Sequence, residues 1–298
     1  MKTKKFNLVA ACLFVTAIVS VAVMSYCGVW QSLLMSSGIG SIYSQAKEFS
    51  FVCYVFDVGR ANSILLSCDG YNILVDCGYE KAQCNTLDYL SLADVSSIDL
   101  LVLTHPDKDH IGNMAELLDC IPVKRFITCN NGQNVVSELY EDLMSKFSDI
   151  GLDIEYANIG DTLSFGGLSL EMVAPCRVYD DSNNNSVAMR AVYNDFSIFL
   201  SGDIEKEAER DILLSGANLE SDVLCVAHHG SASSTTLEFL EGVNPQTAVI
   251  SVEENDYLPS NKTLKRLIDF GCDIYRTDES GVTAVLSDGK DYRIITQR

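Results

Sequence analysis

Short apolar runs alternate with amphipathic segments along most of the chain. In the first half these patterns predict strands at residues 51–56, 63–67, 72–75, 100–104 and 125–128, with helices around 86–92, 112–118 and 135–147. In the second half they predict strands at 168–173, 187–193, 196–200, 223–226, 247–251, 273–275, 282–286 and 292–296, with helices at 205–214, 234–241 and 262–270. Because many of these strands are apolar on both faces, we expect an α/β fold of two sheets, each covered by helices on its outer face.

The N-terminus has a different pattern. Lys2, Lys4 and Lys5 precede an uncharged, mostly apolar stretch at residues 8–30, which as a helix would span about 34 Å and cross a bilayer. We therefore predict a single-pass membrane anchor at residues 1–30 and a tether at 31–48, followed by one domain at 49–298. The lysines should stay inside, which places the domain outside the cytoplasm. A cleaved signal peptide is the alternative, with small residues at 20–22, and the domain would then be secreted.

Composition limits the function. The 298 residues are 47% hydrophobic, enough for one large core. Lys and Arg number 21 against 41 Asp and Glu, which gives a formal net charge of -20. Such a surface repels polyanions, so we expect no stable coating of nucleic acid. The 11 cysteines include no Cys-x-x-Cys motif, and the sequence leaves their pairing open.

All 4 histidines fall in two short clusters. The first reads Thr-His-Pro-Asp-Lys-Asp-His at residues 104–110, and the second reads Ala-His-His-Gly-Ser at 227–231. Each follows an apolar run and ends near a glycine, a common place for functional loops. Histidine is the commonest metal ligand among side chains, and interleaved carboxylates widen the choice to zinc, manganese or iron. The spacing predicts that the fold brings the two clusters together around metal.

Several further motifs occur in a fixed order from residue 51 onward. They are Phe-Asp-Val-Gly at 56–59, Ile-Leu-Val-Asp-Cys-Gly at 73–78, the first histidine cluster, Asn-Asn-Ser at 184–186, Ser-Gly-Asp at 201–203, the second histidine cluster and Arg-Thr-Asp at 276–278. In these residues the chain resembles the metallo-β-lactamase superfamily, and most closely the soluble domain of ComEC/Rec2-type competence proteins. The resemblance implies an αββα sandwich with its site along one edge between the sheets, here preceded by one N-terminal transmembrane helix.

The resemblance also implies a set of ligands for two divalent metal ions. His105 and Asp107 would serve the first ion, Asp109 and His110 the second, and Asp203 would bridge them. One of the adjacent residues His228 and His229 would complete the second site, while the other contacts substrate or donates a proton; the spacing does not tell them apart. Position 107 is usually His in the family, and the Asp here shifts the expected metal from zinc toward manganese. Asp109, His228 and His229 are the expected catalytic residues.

Other residues are expected to support the site. Asp57 and Asp76 each end an apolar strand, and by the resemblance such acids orient the metal loop. Asn184, Asn185 and Ser186 occupy a region where other branches supply a metal-binding His, and Ser231 offers an oxygen beside the second cluster. The chain departs from its branch at Arg-Ala-Asn, residues 60–62, and at Leu258. These departures concern substrate positioning more than metal binding.

We therefore expect a membrane-anchored, extracytoplasmic dinuclear metallohydrolase whose substrate is a phosphodiester. DNA and small phosphodiesters both remain open, and the negative charge favours the smaller substrate. The alternative is a non-catalytic surface binding module that has kept the fold, a hypothesis motivated by the changed residues 60–62, 107 and 258. Retention of all four histidines with Asp109 and Asp203 favours the enzyme. A β-lactamase proper is disfavoured because no His lies between the two clusters.

Overall fold

Two mixed β-sheets lie face to face in the computed structural model, which describes residues 41–79, 85–130, 137–254 and 256–298. The compact unit that contains both sheets runs from residue 46 to residue 298. In chain order the strands are β1 (Phe51–Val55), β2 (Ile64–Cys68), β3 (Tyr71–Val75), β4 (Leu100–Leu103), β5 (Phe126–Thr128), β6 (Ile154–Tyr156), β7 (Thr162–Phe165), β8 (Leu168–Ala174), β9 (Ala188–Tyr193), β10 (Phe196–Leu200), β11 (Val223–Cys225), β12 (Thr247–Ile250), β13 (Asp273–Arg276), β14 (Thr283–Ser287) and β15 (Tyr292–Thr296).

The first sheet has the strand order β15-β14-β1-β2-β3-β4-β5-β6, and the second has the order β13-β12-β11-β10-β9-β8-β7. Strands β3 to β6 are parallel in the first sheet, as are β10 to β13 in the second. Parallel neighbours end at the same edge of a sheet, where loops that carry function collect. The loops that follow β3, β4, β10, β11 and β12 are therefore brought to one edge of the molecule.

Helices are distributed over both halves of the described chain. They are α1 (Ile42–Ala46), α2 (Thr86–Leu92), α3 (Lys108–Ile111), α4 (Met114–Cys120), α5 (Glu138–Ile150), α6 (Lys206–Ser215), α7 (Leu237–Val243), α8 (Asn261–Phe270) and α9 (Thr277–Ser280), with single turns at Asn183–Asn185 and Ala227–Gly230. The longer helices have ordinary end signals: Ser137 accepts a hydrogen bond at the start of α5, and Gly151 ends it in the left-handed conformation.

Strand alternation separates two buried layers. Ile198 and Leu200 of β10 point into the core between the sheets, whereas Phe199 points to the helices, its ring centroid 5.4 Å from that of Phe239 on α7. On the outer face of the first sheet, Phe126 of β5 stacks on Phe147 of α5 at 4.0 Å. The order of layers is therefore helices, sheet, sheet, helices, and the two-sheet α/β fold predicted from the sequence is confirmed.

Some predicted elements differ from the structure. The predicted helix at 112–118 corresponds to α4, and the short α3 precedes it. The predicted helix at 135–147 corresponds to α5; residues 135 and 136 of that prediction lie outside the described residues. Strands β6 and β7 were not predicted, because they are short edge strands with partly exposed side chains. The two closing strands β14 and β15 join the first sheet beside β1, so the sheets do not follow the two halves of the sequence.

The predicted anchor at residues 1–30 and the first part of the predicted tether lie outside the described residues. In the ranges that the structure does describe, no helix combines the length and the apolar character needed to cross a membrane.

Candidate metal centre

The loop after β4 carries the first histidine cluster. Leu100 to Leu103 are fully buried, and the chain turns at Thr104 before α3 begins. Asp107 occupies the position just before α3, and its carbonyl accepts the N–H groups of His110 and Ile111. The first cluster thus offers two pairs of side chains, His105 with Asp107 before α3 and Asp109 with His110 within it. The two pairs lie side by side, because the ring centroids of His105 and His110 are 4.1 Å apart.

Four side chains from three loops meet at this edge. Asp109, His110, Asp203 and His229 each offer one ligand atom, and these atoms lie within 4.8 Å of one another. His110 Nε2 lies 3.4 Å from Asp203 Oδ2 and 3.9 Å from Asp109 Oδ2. His229 Nε2 lies 3.2 Å from Asp109 Oδ2 and 3.7 Å from Asp203 Oδ2. Two imidazoles and two carboxylates around one small space form a donor set suited to zinc, manganese or iron.

Asp203 is held by a tight turn after β10. Gly202 has a φ of +54°, and a Cβ added there would lie 2.9 Å from the Cβ of Ser186. Only glycine fits this close approach of two chain segments. The backbone N–H of Asp203 donates to Ser186 Oγ at 3.1 Å, which fixes where the carboxylate points. The sequence Ser-Gly-Asp thus serves a steric need as well as supplying the acid.

The backbone conformation separates the roles of the two adjacent histidines. His228 and His229 both have left-handed φ values, 51° and 52°, which is a strained conformation for such residues. Their rings consequently diverge, with centroids 6.4 Å apart and planes at 74°. His229 donates from Nδ1 to the Ser251 carbonyl at 2.9 Å, so its Nε2 faces the acidic pair. The turn closes at Gly230, where an added Cβ would lie 2.6 Å from Pro259 Cβ.

His228 lies beside the cluster rather than within it. Its side chain is 25% exposed, and its Nδ1 lies 3.2 Å from Glu205 Oε1. Its Nε2 lies 4.0 Å from Asp203 Oδ2. A partly exposed imidazole paired with a carboxylate is well placed to exchange a proton with a bound molecule. Glu205 was not singled out in the sequence, although its position two residues after Asp203 was the available signal.

A buried carboxylate supports His110 from behind. Asp76 Oδ2 accepts a hydrogen bond from His110 Nδ1 at 2.6 Å and one from Asn62 Nδ2 at 2.8 Å. The same residue accepts from the backbone N–H and the hydroxyl of Thr104, both at 2.8 Å. This network fixes the ring of His110 with Nε2 directed at Asp203, the arrangement in which an outer carboxylate orients a metal-binding imidazole. Asn62 and Thr104 were missed by the sequence analysis.

The second pair of side chains is less enclosed. His105 is fully buried, and its Nδ1 lies 3.1 Å from Thr104 Oγ1 and 3.2 Å from Ser186 Oγ. Its Nε2 is 3.8 Å from Asp107 Oδ2. The Asp107 side chain is 40% exposed and accepts a hydrogen bond from Ser182 Oγ at 2.7 Å. A cation held by this pair would have more solvent around it than one held by the four-residue cluster.

Two ring nitrogens indicate that the site fits metal. Among the described residues, Nε2 of His105 and Nε2 of His110 are buried and have no hydrogen-bond partner in the protein. Buried polar atoms are nearly always satisfied, so each such exception needs a reason. Both atoms face carboxylates, and a divalent cation between nitrogen and oxygen would satisfy them together. The residues present therefore fit a metal centre.

Electrostatics at the cluster favour charged carboxylates. Burial raises the pKa of Asp109, but the hydrogen bond from His229 and the charges of His110 and His229 outweigh it and lower that pKa to about 2. Burial also opposes ionisation of Asp203, yet the same two imidazoles hold the pKa of Asp203 well below its usual range. The acids thus remain ionised and available as ligands at neutral pH.

The three buried imidazoles differ in protonation. Burial, followed by the charge of His110, lowers the pKa of His105, which stays neutral. Burial also lowers the pKa of His110 and of His229, but Asp203 outweighs it in both, helped by Asp76 and Asp109 respectively, so both pKa values are raised. These two rings therefore hold protons that compete with a metal ion for the same nitrogens.

Most of the remaining predicted site residues contact other parts of the protein rather than the cluster. Asn184 Oδ1 accepts the N–H groups of Glu205 and Ala208 at the start of α6, and Asn185 bonds to the backbone of residues 179 and 181. Asp57 Oδ2 pairs with Arg298 at 3.0 Å. Ser231 Oγ lies 2.9 Å from Ser233 Oγ. The structure thus places Ser186 beside the cluster and uses the amides of Asn184 and Asn185 for backbone contacts.

The fold and this edge-lying cluster define a class. The chain belongs to the metallo-beta-lactamase superfamily, whose family model matches residues 56–252. It is 33% identical over 199 residues to ComE operon protein 3 of Bacillus subtilis, a match covering 65% of this chain and 25% of that protein. It is 28% identical over 261 residues to Competence protein ComA of Neisseria gonorrhoeae, covering 85% of this chain and 34% of that protein. The resemblance to the competence-protein branch is thereby confirmed.

Solved structures show the same fold. The metallo hydrolase Igni18 from Ignicoccus hospitalis superposes with a TM-score of 0.52 at 16% identity, covering 83% of this chain and 100% of that one. The chain spans about a quarter to a third of the length of the two competence proteins that it matches.

Proposed function

We propose that the chain is a metal-dependent hydrolase of phosphodiesters. The observation that carries this proposal is the cluster of Asp109, His110, Asp203 and His229, in which buried His110 Nε2 has no partner in the protein and faces a carboxylate. Divalent ions bound there supply activation of water and stabilisation of the negative charge that develops at phosphorus. The family membership supports hydrolysis as the type of reaction.

The ligands divide into two sets. Asp109, His110 and His229 would hold one ion and His105 and Asp107 the other, and by the resemblance Asp203 would bridge the two. The two imidazoles of the first set are buried, whereas Asp107 is an oxygen ligand at a more exposed position. Oxygen ligands favour harder ions, so manganese is the proposed metal of the His105–Asp107 pair, with zinc as the alternative.

The residues of this chain have distinct tasks in such a reaction. Asp76 and the Ser251 carbonyl orient the imidazoles of His110 and His229, so that the ligand geometry is set before substrate binds. His228 is the proposed proton donor to the leaving oxygen, and Glu205 Oε1 lies 3.2 Å from its Nδ1. The 25% exposure of His228 lets it reach a substrate, which the buried His229 cannot do.

A small phosphodiester is the proposed substrate. The resemblance found in the sequence implies a phosphodiester, either DNA or a small molecule, and the names of two relatives, Competence protein ComA and ComE operon protein 3, agree with that branch. The net charge of -20 disfavours prolonged contact with a long polyanion. A short or small phosphodiester therefore fits this chain better than a duplex polymer.

A membrane anchor at residues 1–30, with the domain outside the cytoplasm, is part of the same proposal. Its support is the sequence alone: three lysines before an uncharged apolar stretch. Protease added to intact cells should degrade the domain. If the domain is protected until the membrane is permeabilised, the proposed orientation is wrong.

Turnover of bis-p-nitrophenyl phosphate tests the function. The purified chain should release p-nitrophenolate with manganese or zinc and should lose that activity with a chelator. Asp109→Asn should abolish turnover, because it removes a charged ligand. Asp149→Asn, which changes an exposed acid at the end of α5, is the matched control and should retain full activity. Activity that survives chelation, or no turnover with zinc, manganese or iron, would favour a non-catalytic binding module.

A further inference from the structure

A guanidinium packed on an exposed aromatic ring joins two loops near the cluster. Arg60 Cζ lies 5.3 Å from the centre of the Tyr257 ring. Arg60 Nε lies 3.3 Å from Asp256 Oδ2, and the guanidinium also donates a hydrogen bond to Tyr79. Three partners thus fix Arg60, whereas the Tyr257 side of the pair is open, since that residue is 77% exposed. We call Arg60 and Tyr257 the rim pair.

Both loops of the rim pair are anchored to the candidate metal centre. Two residues after Arg60, the Asn62 N–H donates to the Asp109 carbonyl at 3.0 Å. Beyond Tyr257, the Ser260 N–H donates to the Gly230 carbonyl at 2.9 Å, directly after His229. Each loop of the rim pair is therefore hydrogen-bonded to a loop that carries residues of the cluster.

The two loops also contact each other directly. Gly59 has a φ of +80°, and a Cβ added there would lie 3.8 Å from Glu253 Cδ. The rim pair thus bridges two segments that already touch, so its geometry is supported on both sides. One explanation is that Arg60 only fastens the loop at residues 252–260. That explanation does not require the ring of Tyr257 to remain exposed beside a fixed guanidinium.

We propose that the rim pair is a subsite for the base of a nucleotide ester, an inference that rests on the phosphodiesterase function proposed above. An open aromatic face stacks on a nucleobase, and an arginine plane adds a cation–π contribution. Arg60 also supplies a positive charge beside this ring in a molecule of net charge -20.

Two substrates with the same leaving group separate base recognition from chemistry. The p-nitrophenyl ester of thymidine monophosphate carries a base, whereas methyl p-nitrophenyl phosphate does not, and both release p-nitrophenolate. The wild-type chain should prefer the thymidine ester. Tyr257→Ala should lower that preference, measured as the ratio of the two kcat/KM values, by about tenfold, since stacking on one base has this magnitude. Tyr257→Phe should retain the preference, and Arg60→Ala should reduce it.

A binding measurement supplies a second readout that needs no turnover. Thymidine monophosphate, titrated calorimetrically into the wild-type chain, should bind more tightly than into Tyr257→Ala by a similar factor. The control is Tyr71→Ala, which changes a half-exposed tyrosine at the start of β3, the end of that strand away from Asp76. This variant should keep both the wild-type preference and the wild-type affinity.

The outcomes distinguish the two proposals. If Tyr257→Ala loses kcat/KM equally on both esters, the ratio is unchanged and the ring only supports the loop. If kcat/KM is unchanged on both esters, no base binds there; either result overturns the subsite. If the wild-type chain hydrolyses neither ester, the phosphodiesterase function fails. In that case, binding of thymidine monophosphate that is lost in Tyr257→Ala still supports the subsite, and absence of binding overturns it.

Discussion

Asp76→Asn should weaken metal binding although it leaves every proposed ligand unchanged. In the wild-type chain one oxygen of Asp76 accepts from His110 and Asn62, and the other accepts from the Thr104 N–H. An amide can present only one oxygen. The favoured rotamer keeps it toward His110 and Asn62 and turns the new NH₂ group against the Thr104 N–H. Asp76 has a φ of 60°, a conformation that asparagine also tolerates, so the backbone need not change.

The magnitude follows from this geometry. One buried N–H group left without an acceptor costs about 1–3 kcal/mol of folding free energy. Loss of the carboxylate behind a metal-binding imidazole lowers metal affinity by about 10- to 100-fold. Denaturant unfolding of the metal-free chain measures the first effect, and competition with a chelator of known affinity measures the second.

Asp99→Asn is the matched control for Asp76→Asn. Asp99 is also buried, accepts the backbone N–H of Asn72 at 2.9 Å, and lies just before β4, at the end of the sheet away from the cluster. It should lose stability to a similar extent and bind metal like the wild-type chain. Equal losses of metal affinity in the two variants, or wild-type affinity in Asp76→Asn, would refute the role of Asp76 in orienting His110.

The other predictions concern the histidines and position 107. His229→Ala should lower the number of metal ions bound, whereas His228→Ala should keep the metal and lower kcat; metal loss in His228→Ala alone would reverse the assignment. Because the pKa values of His110 and His229 are raised in the folded chain, their stabilising contribution is present at low pH and is lost as the pH rises through those values. The free energy of unfolding of the metal-free chain, measured with denaturant, should therefore fall above neutral pH, and bound metal should remove this effect. A free energy of unfolding that does not change with pH would contradict this. Asp107→His should shift the preferred metal of turnover from manganese toward zinc, and an unchanged preference would show that residue 107 does not select the ion.

Apolar periodicity predicted most of the core strands because the side chains of those strands are buried and apolar. It failed for β6 and β7, whose side chains are partly exposed at sheet edges, and it did not indicate that β14 pairs with β1 and β15 with β14. Pairing between distant segments depends on the packing of the whole domain, which local patterns do not contain.

At the candidate site, too, the sequence predicted which residues take part but not how the fold arranges them. The motifs identified the residues of the cluster, since ligand chemistry restricts the residue types that can serve. They could not separate His228 from His229, because the difference arises from two successive left-handed residues. Nor could they show that the Asn184 amide is used at the start of α6, a contact across more than 20 residues. Residue identity is local information, whereas the direction of a side chain is not.

Metal content tests the central claim most directly. The purified chain, equilibrated with manganese or zinc and freed of excess ion, should contain close to two ions per chain by inductively coupled plasma mass spectrometry. Asp203→Ala should contain fewer, because the carboxylate of Asp203 lies next to both His110 and His229. A wild-type chain that retains no ion under these conditions, or an Asp203→Ala chain that retains as many as the wild type, would contradict the account.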